Sequence, residues 1–542
     1  GCFRDEDVDS YGIGLFTSVL EKYIPDLNTD RLLLFPDLVT EEKLKVMMRP
    51  SNLKKQVNFK VVPASGAGLY RKSVDTMGVL NELKAISKGE NFSEPLKTLI
   101  YNEKIVKGSY DKGRVPSVLN LPQEKIIKSA PQYPFSLIIG PPGTGKSYTI
   151  ATLAVEHISK GKSVLIASKT NQAVDVIYDK IEKQIGLENV IVRGGKSNYL
   201  KKLQIHLRNI LSGMDVSGLS EDFFDKNYLE KIDKEIEKLE NLFKKRVQKE
   251  SIWGKFLAEY SEIKSLIKNI RKKYIEFRIK REKPLWEVVN ILEKQLDFEN
   301  TKTVDFIRAS YNLKVKSALE NKRDDLKRFL KALSARVGTE KEKYFDTTSF
   351  DVILTTFPVW LVKLSEIYKV LPLKEELFDI AIIDEATQCD IASVIPVLMR
   401  AKSVVFAGDP NQLRHVSFLS RDRQKSLMEK YSLPYELRDF LNYRDKSILD
   451  IVFDKTKDQD QVVFLNEHYR STPDIISFSN KTFYNSSIRV MTDKPNIPEN
   501  EGVFLIKTDG LRDQKGWNEP EAEAVLTKVS DMINAQRSLG KE

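Results

Sequence analysis

Short apolar runs, each followed by a polar or glycine-rich turn and then a helical pattern, recur in two stretches of the chain. Such runs lie at residues 135–139, 163–168, 378–383 and 403–407. A strand buried on both faces of a parallel sheet reads as a continuous apolar run, and repeated strand–loop–helix units imply such a sheet. The pattern predicts an α/β fold whose functional residues lie at the carboxyl ends of the strands, where such sheets bind ligands.

Weaker patterns predict the remaining elements. Two helices are expected at residues 77–86 and 519–533. Shorter apolar or β-branched runs predict further strands at residues 61–63, 98–101, 190–193, 351–354, 462–465 and 502–507.

Residues 203–345 interrupt the α/β pattern with helical spacing. Apolar residues there recur about every 3.5 positions with charged flanks, as in a coiled coil, and Pro284 marks a break. The segment predicts an antiparallel helical hairpin inserted in the α/β domain. Its expected seams are Leu229, Ile232, Ile236, Leu239 and Phe243, then Phe256, Tyr260, Ile263, Ile267, Ile270, Tyr274 and Phe277.

A glycine-rich motif follows the first strong strand. The order is a strand, then Gly-x4-Gly-Lys-Ser, then a helix, which is the context of a phosphate-binding loop. Its backbone N–H groups and the positive helix N-terminus suit a phosphate. We expect Lys146 to reach the β- and γ-phosphates of ATP and Ser147 to ligate Mg²⁺. The predicted nucleotide-binding residues are Gly140, Pro141, Pro142, Gly143, Thr144, Gly145, Lys146, Ser147 and Tyr148.

Two later strands end in residues that suit the same chemistry. Asp384 is expected to hold Mg²⁺ opposite Ser147, and Glu385 to deprotonate the attacking water. An acidic pair after a strand is common by chance, but here it follows a phosphate-binding loop. Gln412, in Gly-Asp-Pro-Asn-Gln, is expected to sense the γ-phosphate. A plain polar turn is the alternative for that motif.

Three residues outside the loop are predicted to contact the nucleotide. Gln123 offers both a donor and an acceptor, which suits the edge of adenine. Tyr469 offers a flat face for stacking, and Arg470 a planar cation that can fork onto phosphate oxygens. Taken alone, these residues fit a surface Gln, a buried Tyr and a surface Arg better than contacts with a nucleotide.

Hydroxyl and amide side chains after two other strands predict contacts with a nucleic-acid backbone. Thr170 and Asn171 follow the strand at 163–168, and Thr356 follows the strand expected at 351–354. Thr170 and Asn171 also suit a helix N-cap, and the two interpretations are compatible.

Charge and composition indicate the kind of partner and the cellular compartment. The chain of 542 residues carries a net charge of +10. Residues 225–343 hold 31 Lys/Arg against 21 Asp/Glu, which is also +10. This excess favours a polyanionic partner, although its interspersed signs equally fit a solvated arm. No apolar run is long enough for a membrane span, and two cysteines exclude a disulfide framework, which predicts a cytoplasmic protein.

In their order along the chain, these motifs resemble those of the superfamily 1 helicases. The similarity is closest to the 1B branch, which includes the nonsense-mediated-decay RNA helicase, senataxin and bacterial relatives. It covers residues 116–200 and 346–535. It implies two RecA-like domains that close on ATP and step along one nucleic-acid strand, with the residues above in the roles given.

The chain also departs from that family. Arg414 and His415 follow the Gly-Asp-Pro-Asn-Gln-Leu motif where many relatives have prolines. Nothing after Arg470 resembles the later Gln-Gly-x-Glu and Thr-Arg-Ala motifs, the second of which supplies a further arginine. We therefore predict that the second RecA-like domain is incomplete at its C-terminal end in this sequence.

The combined prediction is an α/β protein with RecA-like P-loop sheets, an inserted helical arm and an N-terminal accessory domain. We expect an ATP-dependent helicase or translocase acting on single-stranded DNA or RNA, with a possible protein partner on the arm. A P-loop ATPase that remodels protein complexes and an ATP-binding segment without turnover are the alternatives. The predicted segments are 1–115 (accessory), 116–202 and 346–443 (first RecA-like domain), 203–345 (arm) and 444–542 (second RecA-like domain).

Overall fold

The computed structural model describes residues 33–34, 60–61 and 74–538, except 102–104, 106, 188–189, 196, 214–225, 260–265, 283, 336–337, 418, 457, 493–502, 504 and 514–515. The chain forms two compact units, residues 1–73 and 74–542. In the first unit, strands β1 (Leu33–Leu34) and β2 (Lys60–Val61) pair in parallel. Of the strand expected at 61–63, only Val61 lies within the described residues.

A seven-stranded parallel sheet forms the centre of the second unit. The strands lie in the order β5-β6-β4-β7-β8-β3-β9. Every residue of β3, β4, β7 and β8 is buried, which is why most residues of these strands are apolar. The predicted α/β fold is therefore confirmed. The strands are β3 (Phe135–Ile139), β4 (Val164–Ser168), β5 (Ile191–Arg193), β6 (Val359–Lys363), β7 (Ile380–Asp384), β8 (Val404–Gly408) and β9 (Val462–Phe464).

Helices cover both faces of the sheet and account for most of the remaining described residues. The predicted helices at 77–86 and 519–533 are confirmed as parts of longer ones. In chain order the helices are α1 (Val74–Ile86), α2 (Glu94–Tyr101), α3 (Leu121–Ser129), α4 (Lys146–Ser159), α5 (Asn171–Asp179), α6 (Ser197–Ser212), α7 (Lys226–Glu259), α8 (Leu266–Arg281), α9 (Leu285–Asn321), α10 (Arg323–Ser334), α11 (Gly338–Thr347), α12 (Phe350–Thr356), α13 (Ile391–Met399), α14 (Arg421–Lys430), α15 (Tyr435–Phe440), α16 (Ile448–Lys455), α17 (Pro473–Phe483) and α18 (Glu519–Ser538).

Three predicted strands are wrong. Residues 351–356 belong to α12, and the strand lies further on, as β6 after Pro358. A short apolar run cannot be distinguished from a buried helical turn by periodicity, whereas the Val-Trp-Leu-Val run of β6 has high strand propensity. Residues 98–101 lie in α2, and the described residues between 503 and 507 have no strand.

Strand β9 lies in the segment expected to form the second domain. It pairs with β3 at the edge of the central sheet, so this part of the segment belongs to the first sheet. A separate pair of parallel strands, β10 (Glu467–His468) and β11 (Arg489–Val490), flanks α17. This strand–helix–strand unit is a second, smaller sheet beside the first. The rest of the predicted domain division stays a prediction.

The inserted helices form a hairpin, and the helices at the two ends of the insertion pack in the main core. Helices α7 and α9 run antiparallel, because Gln295 contacts Glu235 while Lys249 pairs with Glu282. Leu207 of α6 and Phe329 of α10 are fully buried in the main core, so the ends of the insertion belong to the globular body.

The two predicted seams of the hairpin have different outcomes. Leu229, Ile232 and Ile236 of the first seam are buried against Leu292 and Leu296 of α9. The second seam is wrong at Ile270, Tyr274 and Phe277, which are 67%, 59% and 54% exposed, and Ile275 is buried instead. The part of the seam at 260–265 lies outside the described residues.

Candidate nucleotide-binding site

The glycine-rich loop connects β3 to α4 as its sequence pattern predicts. Gly143 and Gly145 have φ angles of +79° and +81°, which residues with a Cβ rarely adopt. The Thr144 hydroxyl donates to the carbonyl of Pro141 at 2.7 Å and closes the turn. Helix α4 begins at Lys146, so its N-terminal N–H groups face the same loop. The loop therefore offers the backbone donors that a phosphate group requires.

Lys146 lies between the two carboxylates predicted from β7. Its ammonium nitrogen is 2.6 Å from Oε1 of Glu385 and 3.6 Å from Oδ1 of Asp384. Burial alone would lower the pKa of Lys146, but the two negative charges outweigh burial and raise it. Burial raises the pKa of Asp384, and the charge of Lys146 opposes that rise. A bound Mg²⁺ beside Asp384 would favour the ionised form of this carboxyl.

Glu385 has the features of a functional carboxylate. Its φ of +53° lies in the left-handed region, which costs a non-glycine residue energy and is frequent at functional sites. Oxygen Oε2 is buried and has no hydrogen-bond partner. Such an oxygen is free to accept a hydrogen bond from a water molecule held beside a phosphate. The strain and the orphan oxygen were invisible in the sequence.

The donor set suits Mg²⁺ better than a transition metal. Ser147 and Asp384 both supply hard oxygen ligands, and Mg²⁺ in phosphate sites takes few protein ligands besides water and phosphate oxygens. Within the described residues, no group of three or more His, Cys, Asp or Glu side chains could hold a metal by itself. Ser147 and Asp384 are therefore the residues that would hold the ion.

A cavity of about 480 Å³ adjoins the loop on the side expected for the base. This volume falls within the usual range for small-ligand sites. It brings together Gln123, Tyr148 and Tyr469 with Gly145, although Tyr469 lies more than 300 residues from the other three. Val118, Leu119 and Asn120 complete its lining.

Gln123 has a local structural role in addition to its place in the cavity. It forms a capping box with Asn120, since each side chain accepts from the other's backbone N–H at 3.0 Å. Its amide nitrogen donates to the Thr149 hydroxyl at 3.3 Å. Gln123 is 5% exposed and so is not the surface residue that was the alternative. The Asn-x-x-Gln spacing was a visible signal for this cap.

Residues 467–471 lie directly along the glycine-rich loop. Tyr469 N–H donates to the carbonyl of Gly143 at 2.9 Å. A Cβ added to Gly143 would lie 2.8 Å from Cβ of Arg470, so Arg470 begins next to the loop. The structure thus brings Tyr469 and Arg470 to the glycine-rich loop, and their contacts with a nucleotide stay predictions.

His468 joins the two segments, a link that sequence reasoning missed. Nδ1 lies 2.8 Å from the carbonyl of Pro142, and Nε2 accepts from the N–H of Ser471 at 2.8 Å. These partners fix the neutral tautomer with its proton on Nδ1. Burial lowers the pKa of His468, the Pro142 carbonyl opposes that change, and the charge of Arg470 adds to the lowering.

Gln412 follows β8, near the carboxyl ends of β3 and β7. Its side-chain nitrogen donates to Oδ2 of Asp409 at 3.3 Å. Strands β7, β8 and β3 are neighbours, so Gln412, Asp384 and the loop lie at one edge of the sheet. Gln412 is therefore positioned near the nucleotide side but is held by Asp409 in this structure.

The predicted nucleic-acid contacts are placed differently from one another. Thr170 is exposed at the end of β4, where its hydroxyl caps α5 by accepting from the N–H of Ala173. Oδ1 of Asn171 accepts from the Arg193 guanidinium at 2.7 Å. Thr356 is fully buried inside α12 and donates to the carbonyl of Val352, so the expectation that it ends a strand is wrong.

Comparison with known proteins identifies the family. A family model described as an AAA domain matches residues 118–418, which is more than half of the chain. The chain belongs to this AAA domain family. Its curated relatives include ATP-dependent helicases, which agrees with the resemblance to the superfamily 1 helicases that the order of the motifs predicts.

Three relatives illustrate the similarity. An uncharacterized ATP-dependent helicase of Mycoplasma genitalium is 25% identical over 195 residues, 35% of this chain and 17% of its own length. Helicase SEN1 of Saccharomyces cerevisiae is 25% identical over 361 residues, 58% of this chain and 14% of its length. A Drosophila melanogaster homolog of regulator of nonsense transcripts 1 is 44% identical over 66 residues, 12% of this chain and 6% of its length. The matched part is less than a fifth of each relative.

Proposed function

We propose that this chain is the motor of an ATP-dependent helicase or translocase that moves along a single nucleic-acid strand. The observation that carries the proposal is the position of Lys146 between Asp384 and Glu385, beside a cavity that holds Tyr469. The glycine-rich loop, the two carboxylates and the aromatic residue come from distant parts of the sequence. They lie close together in the fold, as the binding of one nucleotide would require. The printed names of the relatives, which include ATP-dependent helicases, support the same proposal.

In this proposal Lys146 exchanges partners when ATP binds. Its ammonium group, now paired with Glu385, would turn to the β- and γ-phosphates, and Glu385 would be released from the ion pair. Ser147 and Asp384 would hold Mg²⁺, which supplies charge neutralisation at the phosphates. Glu385 would then orient a water molecule and accept its proton. Gln412 would leave Asp409 to contact the γ-phosphate.

The segment that carries Tyr469 and Arg470 would complete the site. Tyr469 would stack on the adenine, with Gln123 at the edge of the ring. Arg470 would stabilise the negative charge that develops on the γ-phosphate in the transition state. Because Tyr469 N–H is bonded to Gly143, a change at the loop would be transmitted directly to the second, smaller sheet.

The nucleic-acid strand would be held at the carboxyl ends of the same β-strands. Thr170 is exposed there and would donate to a phosphate oxygen, and Asn171 would do so after leaving Arg193. Thr356 is not part of this proposal because it is buried. Phosphate contacts of this kind do not distinguish DNA from RNA.

The hairpin of α7, α8 and α9 would add affinity through charge. Tyr274 and Phe277 of α8 and Trp286 of α9 are exposed, and α8 is rich in basic residues. Exposed aromatic rings on a positive surface suit single-stranded nucleic acid, because rings stack on bases and cations track the backbone.

None of the helices that the structure describes is long and apolar enough to cross a membrane.

The test is steady-state ATP hydrolysis with and without single-stranded DNA and RNA. The proposal expects hydrolysis that rises when strands are added and is lost in Lys146→Ala. Hydrolysis that ignores both nucleic acids would favour the protein-remodelling alternative. ATP binding without any hydrolysis would support the ATP-binding segment without turnover.

A further inference from the structure

One carboxylate oxygen joins the residue expected to sense the γ-phosphate to the second sheet. Asp409 directly follows β8 and is fully buried. Its Oδ2 accepts from Gln412 at 3.3 Å and also from the hydroxyl of Tyr484 at 2.6 Å. Tyr484 ends α17, which lies between β10 and β11. Two donors from different parts of the fold therefore share one acceptor.

The position of Tyr484 is tightly determined. Its side chain is 9% exposed, and the next two residues, Asn485 and Ser486, have left-handed φ angles of +49° and +55°. Consecutive non-glycine residues in that region persist only where the surroundings hold them. A second bond, from Asn411 Nδ2 to the carbonyl of Phe483 at 3.1 Å, attaches the same helix end to the Gly408–Gln412 turn. Two hydrogen bonds thus attach the turn to the end of α17.

Sharing one oxygen makes the two hydrogen bonds depend on each other. A buried carboxylate needs donors, and losing one makes the remaining donors harder to remove. While Tyr484 donates to Oδ2 at 2.6 Å, Gln412 can leave without exposing an unsatisfied charge. Burial and the bond to Asp409 raise the pKa of Tyr484, so its hydroxyl keeps the proton that it donates.

We propose that Tyr484 is a positioning residue for Gln412, acting through Oδ2 of Asp409, and that this oxygen links the nucleotide site to α17. The inference rests on the proposed ATPase function. Without the Tyr484 hydroxyl, Asp409 would retain Gln412, and Gln412 would reach the γ-phosphate less often. Transition-state stabilisation would fall while ground-state nucleotide binding, which uses the glycine-rich loop, would not.

The experiment is a double-mutant cycle on ATP hydrolysis in the full chain. Tyr484→Phe should lower kcat about tenfold, the size expected for one hydrogen bond to a charged group, and leave KM for ATP within about twofold. In a Gln412→Ala background the same substitution should have no further effect on kcat, because the residue that it positions is absent.

Tyr133→Phe is the matched control. The Tyr133 hydroxyl also donates at 2.6 Å to a carboxylate, that of Asp458, and its side chain is 3% exposed. Asp458 lies just before β9 and takes no part in the proposed site, so this variant should keep the wild-type kcat. Thermal melting of both variants identifies any loss of the fold.

Two results would overturn the inference. One is an unchanged kcat in Tyr484→Phe, and the other is an equal loss in the wild-type and Gln412→Ala backgrounds, which would indicate a general packing effect. Absence of hydrolysis in the wild-type chain would instead contradict the proposed function, and the inference would fall with it.

Discussion

Replacing Glu385 by Gln should separate ATP binding from ATP hydrolysis. The substitution keeps the size of the side chain and removes its charge. Hydrolysis should fall about 10²–10⁴-fold, the usual contribution of a general base. Nothing in the glycine-rich loop or at Ser147 and Asp384 is altered, so the phosphate-binding groups remain in place.

The same substitution should strengthen ATP binding. In the structure Glu385 competes for Lys146 at 2.6 Å, and a hydrogen bond between charged groups contributes about 1.5–3 kcal/mol. Part of that energy opposes the transfer of Lys146 to a phosphate. Since 1.4 kcal/mol corresponds to a factor of ten, the Kd for ATP should fall by up to about tenfold.

Two assays check this prediction. Equilibrium binding of a fluorescent ATP analogue gives Kd, and single-turnover hydrolysis gives the rate of the chemical step. Glu429→Gln, an exposed carboxylate on α14, is the matched control and should match the wild type in both. Hydrolysis by Glu385→Gln within a few-fold of wild type would remove Glu385 from the role of base. A Kd that rises above the wild-type value would refute the competition for Lys146.

Three further predictions concern other parts of the molecule. The pKa of His468 is lowered from 6.5, so the unfolded chain takes up a proton first and stability should fall as pH drops below about 6.5; the fall in Tm from pH 8 to pH 5.5 should be smaller in His468→Gln. Deleting residues 239–290 removes 14 Lys/Arg and 7 Asp/Glu, a net +7, and spares the buried cluster at the base of α7; ATP binding should persist, while strand affinity drops and the slope of log K against log salt becomes shallower by about 0.7 for each lost phosphate contact. Arg400 is fully buried and paired with Glu82, so Arg400→Leu should destabilise the fold by about 3–5 kcal/mol in denaturant unfolding, and adding Glu82→Leu should recover part of that loss.

Each of these predictions has an outcome that contradicts it. Equal pH dependence of Tm in wild type and His468→Gln would show that folding does not lower the pKa of His468. An unchanged salt slope after the deletion would favour a hairpin whose charges serve only its own solvation. A double variant no more stable than Arg400→Leu would show that Glu82 is not left unpaired when Arg400 is removed.

The sequence was informative where local chemistry determined the structure. The loop after β3 requires glycine at positions 143 and 145, and the strands buried on both faces are recognisable because most of their residues are apolar. Asp384 and Glu385 end such a strand, so their place at the sheet edge followed from the parallel topology. These features depend on neighbours in sequence, which a pattern can show.

Sequence reasoning failed where distant contacts decide. Residues 351–354 are apolar in either a strand or a buried helix, and only packing selects α12. Strand β9 pairs with β3, which lies more than 300 residues earlier in the chain. No pattern in the neighbouring residues could therefore show that β9 belongs to the first sheet. The same holds for Tyr484, whose only link to Asp409 is tertiary. Heptad spacing predicted a seam at Ile270 and Tyr274, but spacing alone cannot supply a partner helix.

The central claim is that nucleotide state and strand binding are coupled in this chain. The most direct test is the affinity for a fluorescent single strand, measured with a non-hydrolysable ATP analogue and with ADP at one fixed salt concentration. The account predicts at least about a fivefold difference between the two states, and the strand should change the affinity for the analogue by the same factor. Equal strand affinities in both nucleotide states, in a chain that binds both nucleotides, would contradict it.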